Sequence, residues 1–146
     1  MMADEETQTE VRALLDRVAK TFGDRDIDGF LACFAPDPDV VMIGTGADET
    51  GTGTEEIGEL IKRAWSQSES ASLRFGRTLI SAAGSVAWIT ADASVKAQVG
   101  GRDLAEDLRF TIVLEKRADT WLIVQTHDSL PAAGQAQGQA WATGSR

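Results

Sequence analysis

The first half of the chain repeats apolar residues with the spacing of amphipathic helices. A helix is predicted over residues 5–22, where five apolar side chains recur at i, i+3, i+4, i+7 and i+11: Val11, Leu14, Leu15, Val18 and Phe22. A shorter helix, capped by Asp26, is predicted to end before Pro36. A third helix, capped by Thr54, is predicted to run to Trp65.

The second half is rich in β-branched and aromatic residues, which are typical of strands. After a short strand at residues 39–43, strands are predicted at 71–81 and 85–99, followed by a hairpin over 108–130. The order of the elements predicts an α+β fold, with three N-terminal helices packed on a curved, mainly antiparallel sheet.

The hairpin has two faces in each arm, because successive side chains of a strand point to opposite sides. In the first arm, the even-numbered residues from Leu108 to Leu114 share one face. In the second arm, unbroken alternation places Thr126 and Asp128 on one face. It places Trp121, Ile123, Gln125 and His127 on the opposite face. Both faces carry apolar residues, so one is expected to pack on helices and the other on a second sheet or a partner chain.

A chain of 146 residues is expected to form one domain, here residues 1–131. Residues 132–146 are rich in Ala, Gly and Gln and show no period, which predicts a mobile tail. Because Cys33 is the only cysteine, no internal disulfide is possible.

The net charge of −9 disfavours nucleic acid as a partner, because such a surface repels phosphate backbones. No apolar run approaches the roughly 20 residues that span a bilayer. The acidic start of the chain does not resemble a signal peptide, so a cytoplasmic location is expected.

Motifs for metals and phosphates are incomplete. Asp24, Asp26 and Asp28 mimic the start of a calcium loop, but its twelfth position is Ala35 instead of glutamate. The single histidine excludes a site built from several histidines. The two Gly-Thr-Gly triplets at residues 44–53 lack the lysine of a phosphate loop. We therefore expect no metal and no cofactor.

Two stretches resemble the nuclear transport factor 2-like superfamily, and within it the SnoaL-like group. They are FLACFAPDPDVVMIGTG at residues 30–46 and RFTIVLEKRADTWLIVQTHDS at residues 109–129. The resemblance covers about residues 6–131 and implies a cone, in which a bent sheet wraps a long helix and leaves a pocket at its open end. Homodimers through the convex sheet face are also implied.

The chemistries of this superfamily match the chain incompletely. The resemblance places Met42 where ketosteroid isomerases have their base, and it aligns Glu106 only loosely with their oxyanion acid. Thr90 stands where epoxide hydrolases carry an arginine, although Asp92 remains. Ile112 and Asp128 stand where kinase association domains carry arginines, so capture of an anion is not expected.

A pocket for a small apolar molecule is the interpretation that remains. Strand parity together with the resemblance predicts that Trp88, Asp92, Thr126 and Asp128 line one cavity, with Trp65 near its mouth. Asp92 and Asp128 are the candidate catalytic residues, because two carboxylates in one cavity raise the pKa of one of them.

Three functions stay open at this point. The first is a SnoaL-like domain that binds a small apolar molecule. The second is an enzyme of the cyclase, isomerase or hydratase type that uses a pocket aspartate. The third is an association module that dimerises through the convex face with Trp121, Ile123, Val113 and Gln125.

Overall fold

The described residues form three helices and six strands, in the predicted order except for the short strand at Thr50–Thr52, which was not predicted. This computed structural model describes residues 1–144. The elements are α1 (Glu5–Asp24), α2 (Ile27–Leu31), β1 (Val41–Ile43), β2 (Thr50–Thr52), α3 (Gly53–Ser66), β3 (Ser70–Ala83), β4 (Val86–Val99), β5 (Arg102–Arg117) and β6 (Thr120–Ser129).

The helices begin where acidic side chains accept hydrogen bonds from free backbone amides. Asp4 and Asp26 cap α1 and α2 in this way, at 2.8 and 2.9 Å. Helix α3 begins just before the predicted cap Thr54, and the side chain of Glu56 accepts a hydrogen bond from the Thr52 amide at 3.1 Å. The predicted helix starts are therefore confirmed to within a residue or two.

The strands form one curved sheet in the order β2-β1-β6-β5-β4-β3. Neighbouring strands are antiparallel except for β1 and β6, which pair in parallel. The helices cover one face of this sheet, which we call the inner face, and leave the outer face uncovered by the described chain. The α+β cone is thus confirmed, with its core between the helices and the inner face.

The core joins the apolar stripes of α1 and α3 to the inner residues of the long strands. Its largest fully buried side chains are Val11, Leu14, Val40, Ile57, Ile80, Ile89, Ile112, Leu114 and Ile123. The even-numbered face of β5 contributes to this core as predicted, since Leu108, Ile112 and Leu114 are buried.

Arg25 ties the C-terminal ends of α1 and α3 together. Its backbone takes the left-handed conformation that ends α1, with φ 57°. Its guanidinium donates hydrogen bonds to the carbonyl oxygen of Trp65 at 2.6 Å and to that of Ser68 at 2.8 Å. These carbonyls lie in the last turn of α3 and just beyond it, and the Trp65 carbonyl also accepts longer hydrogen bonds from the Ser68 amide at 3.3 Å and the Ser68 hydroxyl at 3.4 Å.

A bulge in β6 changes which of its residues face the core. Val113 of β5 pairs with Gln125 while Leu114 pairs with Ile123, so Val124 is an extra residue in β6. Before the bulge the odd-numbered residues point inward, and after it the even-numbered residues do. Unbroken alternation along this strand is therefore a wrong prediction.

The bulge corrects the surface that was expected to meet a partner. Trp121 and Ile123 are 5% and 1% exposed and lie in the core, where the Trp121 indole donates a hydrogen bond to Glu10 of α1 at 2.7 Å. Val113 and Gln125 do lie on the outer face, as predicted.

Residues 131–144 form no helix or strand, and Trp141 in this segment is 79% exposed. Residues 145 and 146, the last two of the predicted tail, lie outside the described residues. The mobility of the tail stays a prediction. No helix within residues 1–144 has both the length and the apolar character needed to cross a membrane.

Candidate functional site

A cavity of about 180 Å³ lies between the helices and the inner face of the sheet. Its lining residues come from all three helices, from every strand except β2, and from the loops that follow α2 and β1. Its apolar lining consists of Val18, Phe22, Phe30, Phe34, Met42, Leu60, Ile61, Ala64, Leu73, Phe75, Val95, Leu108, Phe110, Ile112 and Ile123. Such a wall suits an apolar ligand held by a small number of polar groups.

Three polar side chains share this lining: Thr126 and Asp128 of β6, and Glu49 of the loop between β1 and β2. Thr126 is 5% exposed, and its Oγ1 has no hydrogen-bond partner in the described chain. A buried hydroxyl without a partner costs about 1–3 kcal/mol, so this atom is a natural contact for a ligand.

Asp128 is a half-buried carboxyl that lies two residues beyond Thr126 on the same face of β6. Burial raises the pKa of Asp128 from its ordinary 3.8 to about 6, and the negative charge of Glu49 adds to the rise. Asp128 therefore changes charge near neutral pH, as a general acid or base requires.

Glu49 is the functional candidate that sequence reasoning missed. Its side chain folds back over Gly44 and Gly46, where an added Cβ would lie 2.3 Å from Oε2 and 2.5 Å from Oε1 respectively. A side chain at either position would displace the Glu49 carboxylate from this place. The glycine-rich stretch GTGADETGTG was the available signal, but its glycines indicated a tight loop and not a carboxylate at a cavity.

The predicted site divides between the two faces of the sheet. Thr126 and Asp128 meet in the cavity as predicted, whereas Trp88 and Asp92 lie on the outer face of β4. The expected pair of Asp92 and Asp128 in one cavity is therefore wrong. In the register of the sheet Asp92 lies opposite Arg109, which is also an exposed residue.

The inner face of β4 explains this error. Its buried residues are mostly small: Ala87, Ile89, Ala91 and Ala93. Small side chains let the helices pack close to the strand, while the larger Trp88 lies outside among Thr90 and Asp92. The resemblance to epoxide hydrolases, which implied that the face of Asp92 points inward, therefore favoured the wrong face.

Trp65 is a core residue and not a wall of the cavity mouth. It is buried in α3 and packs against Phe22, with ring centroids 6.0 Å apart; Phe22 lines the cavity and Trp65 does not. The expected position of Trp65 near the mouth is a further correction.

Metal binding finds no support in the described residues. Within residues 1–144, no three His, Cys, Asp or Glu side chains gather closely enough to hold an ion. His127 is exposed on the outer face, opposite to the side of Asp128.

Comparison with known families matches residues 11–133 to the SnoaL-like domain. Solved structures support the same fold at low identity. A nuclear transport factor 2-like superfamily protein from Salmonella enterica serovar Typhimurium is 19% identical, with a TM-score of 0.83 over 95% of this chain and 100% of that one.

Two further structures carry names that suggest activities. A proposed dehydratase of the NTF2-like family from Streptomyces avermitilis is 14% identical, with a TM-score of 0.80 over 89% of this chain and 100% of that one. A proposed aromatic ring hydroxylase from Novosphingobium aromaticivorans is 15% identical, with a TM-score of 0.80 over 89% and 92%. A search of curated proteins found no match. At these identities the likeness shows the fold alone.

Proposed function

The chain belongs to the SnoaL-like family of the NTF2-like superfamily, and from that premise we propose that its cavity binds a small, largely apolar molecule. The polar end of this molecule would meet Thr126 and Asp128. The observation that carries the proposal is the Thr126 hydroxyl, which is buried without a partner at the wall of an otherwise apolar cavity. A ligand that reaches this hydroxyl would satisfy it.

The volume of the cavity limits the size of the ligand. An apolar cavity of about 150 Å³ is enough to hold benzene. The 180 Å³ of this cavity therefore fits one ring with a short side chain.

The test is to titrate the protein with 2-phenylethanol and to follow heat release and thermal stability. We expect Thr126→Val to weaken binding by about tenfold while it stabilises the free protein, because valine buries no unpaired hydroxyl. Thr111→Val on the outer face is the matched control and should change neither quantity. Equal affinity in the wild type and Thr126→Val would contradict the proposed site.

Catalysis at Asp128 is a second candidate, favoured by its pKa of about 6. An acid–base group beside an apolar ligand suits isomerase, cyclase or hydratase chemistry, all of which move protons next to a carbonyl or hydroxyl. Exchange of the α-hydrogens of 1-indanone in deuterated water provides a general assay. We expect Asp128→Asn to reduce this exchange by at least about 10²-fold. An exchange rate at the level of buffer alone would exclude this chemistry for ketones of that size.

Association through the outer face is a third candidate, favoured by apolar residues exposed there. Leu79 is 51% exposed and Val86 is 37% exposed, with Trp88 close by on the same face. A specific interface buries on the order of 1,600 Å² in total. We expect sedimentation to show a dimer that Trp88→Glu dissociates, while Leu104→Glu at the far end of the β4–β5 hairpin leaves it intact. A wild-type monomer at high concentration would rule the interface out.

A further inference from the structure

The charged groups of the cavity have one sign. Among the residues that line it, Glu49 and Asp128 are the ionisable ones, and both are acids. Nearby cations are already engaged elsewhere: Arg63 binds Asp48 at 3.0 Å, and Arg25 binds carbonyl oxygens at the end of α3. Within residues 1–144, no salt bridge involves Glu49 or Asp128, and His127, whose charge opposes the rise in the pKa of Asp128, lies on the outer face.

The two carboxylates are accompanied by a neutral acceptor that also lacks a partner. Thr126 is only 5% exposed, its side chain lines the cavity, and its Oγ1 has no hydrogen-bond partner within residues 1–144. Two carboxylates and one hydroxyl oxygen offer three acceptor groups on one side of the cavity. A primary ammonium carries three N–H donors and no acceptor, so it matches this set in number and in charge.

The neighbouring wall is aromatic. Phe110 lies directly opposite Asp128 in the register of β5 and β6, and its ring meets that of Phe75 edge to face at 5.6 Å between centroids. The electron-rich faces of such rings attract a cation that lies within about 6 Å. The carboxylates would bind the charge of the ligand, and the rings would contact the first carbon atoms of its body.

From these contacts we infer that the ligand of the cavity is a primary amine, bound as its ammonium ion, on an apolar body of about one ring. This inference rests on the proposed small-molecule function and narrows it to one chemical class. A carboxylate ligand is disfavoured by both acids. A neutral alcohol or ketone would leave Glu49 without a partner for its charge.

The pH dependence follows from the groups that face Asp128. Glu49 faces it from the β1–β2 loop and raises its pKa, whereas His127, the preceding residue on the outer face, lowers its pKa. The helices and the other strands contribute no titratable side chain to the lining. An ammonium ion stabilises the ionised form of Asp128, so binding releases a proton at pH values below the pKa of this carboxyl. Affinity for the amine should therefore rise between pH 5 and pH 7.5, while affinity for a neutral ligand should not.

The test uses calorimetric titration with three compounds of similar body: 2-phenylethylamine, 2-phenylethanol and 3-phenylpropanoate. At pH 7.5 we expect the amine to bind at least about tenfold more tightly than the alcohol, in line with the extra strength of hydrogen bonds to charged groups. The carboxylate should not bind detectably. At pH 5 the advantage of the amine should fall to about threefold or less, because Asp128 is then mostly protonated.

Variants separate local contacts from general attraction to an acidic protein. Glu49→Gln and Asp128→Asn should each lower amine affinity by about tenfold and change alcohol affinity by less than about threefold. The matched control is Glu59→Gln on the exposed side of α3, which removes the same charge and should have no effect. Circular dichroism checks that each variant is folded, and Glu49→Gln suffices if Asp128→Asn does not fold.

The outcomes distinguish the two proposals. If the alcohol binds as tightly as the amine at pH 7.5, the amine inference is overturned and the proposed function stands. If Glu59→Gln weakens the amine as much as Glu49→Gln does, long-range attraction explains the preference and the inference is also overturned. If none of the three compounds binds, the proposed function itself fails for ligands of this size.

Discussion

Replacing Asp128 by asparagine should stabilise the protein at neutral pH and not at acidic pH. The folded protein holds the proton of this carboxyl more tightly than the unfolded chain does, because the pKa rises from 3.8 to about 6 on folding. The stabilising contribution is therefore complete below about pH 4 and is lost as the pH rises through about 6. Asparagine has nearly the same shape and never ionises, so it avoids this loss.

The size of the effect follows from the shift. A pKa shift of about two units corresponds to at most about 3 kcal/mol in the free energy of unfolding, at 1.36 kcal/mol per unit. Asp128 is only half-buried, so solvent screens part of this free energy, and we expect about 1–2 kcal/mol at pH 8. Asp128→Asn should then exceed the wild type in free energy of unfolding by that amount at pH 8 and approach it as the pH falls below 4.

Urea unfolding followed by tryptophan fluorescence at both pH values measures this difference. Asp92→Asn, on the exposed outer face, is the control and should change the free energy of unfolding by less than about 0.5 kcal/mol at either pH. An Asp128→Asn variant that is less stable than the wild type at pH 8 would show that ionised Asp128 is stabilised by contacts that the structure does not contain.

Two further stability predictions follow from burial and hydrogen bonding, both measured by urea unfolding. Leu114→Ala should cost about 2–5 kcal/mol because this side chain is fully buried, whereas Glu115→Ala should cost about 0.5 kcal/mol or less; the reverse order would mean that the faces of β5 are inverted. Arg25→Ala should cost about 1–2 kcal/mol, since it removes the hydrogen bonds to the carbonyls of Trp65 and Ser68. A cost near zero would show that water replaces the guanidinium there.

The sequence predicted an element and its buried face correctly wherever one hydrophobic period continued along the element without interruption. The stripe of α1 and the even face of β5 could be read directly, and so could the order of helices and strands. The choice of the inward face failed in β4, where the alternation is regular but the inner residues are mostly alanines and Trp88 lies outside. It also failed in β6, since nothing in the pattern of Trp121 to Asp128 marks Val124 as an extra residue.

Of the polar residues that line the cavity, Thr126 and Asp128 could be predicted from the sequence, whereas Glu49 could not. Thr126 and Asp128 lie on the inner face only because the bulge precedes them, and the resemblance to the family placed them correctly where simple alternation with Ile123 did not. Glu49 reaches the cavity through a loop whose path depends on close packing of its carboxylate over Gly44 and Gly46. A contact of that kind has no periodic signature.

The bulge at Val124 determines which side chains of β6 face the cavity, so the chemistry of the cavity depends on the position of one extra residue. Were the strand regular beyond Ile123, Gln125 and His127 would face inward, and the cavity would present an imidazole in place of a carboxyl. One strand sequence thus encodes two alternative sites, an acidic one and a basic one, and the position of a single unpaired residue selects between them. Moving that irregularity to Asp128 or beyond would turn Gln125 and His127 toward the cavity without any substitution in the present lining.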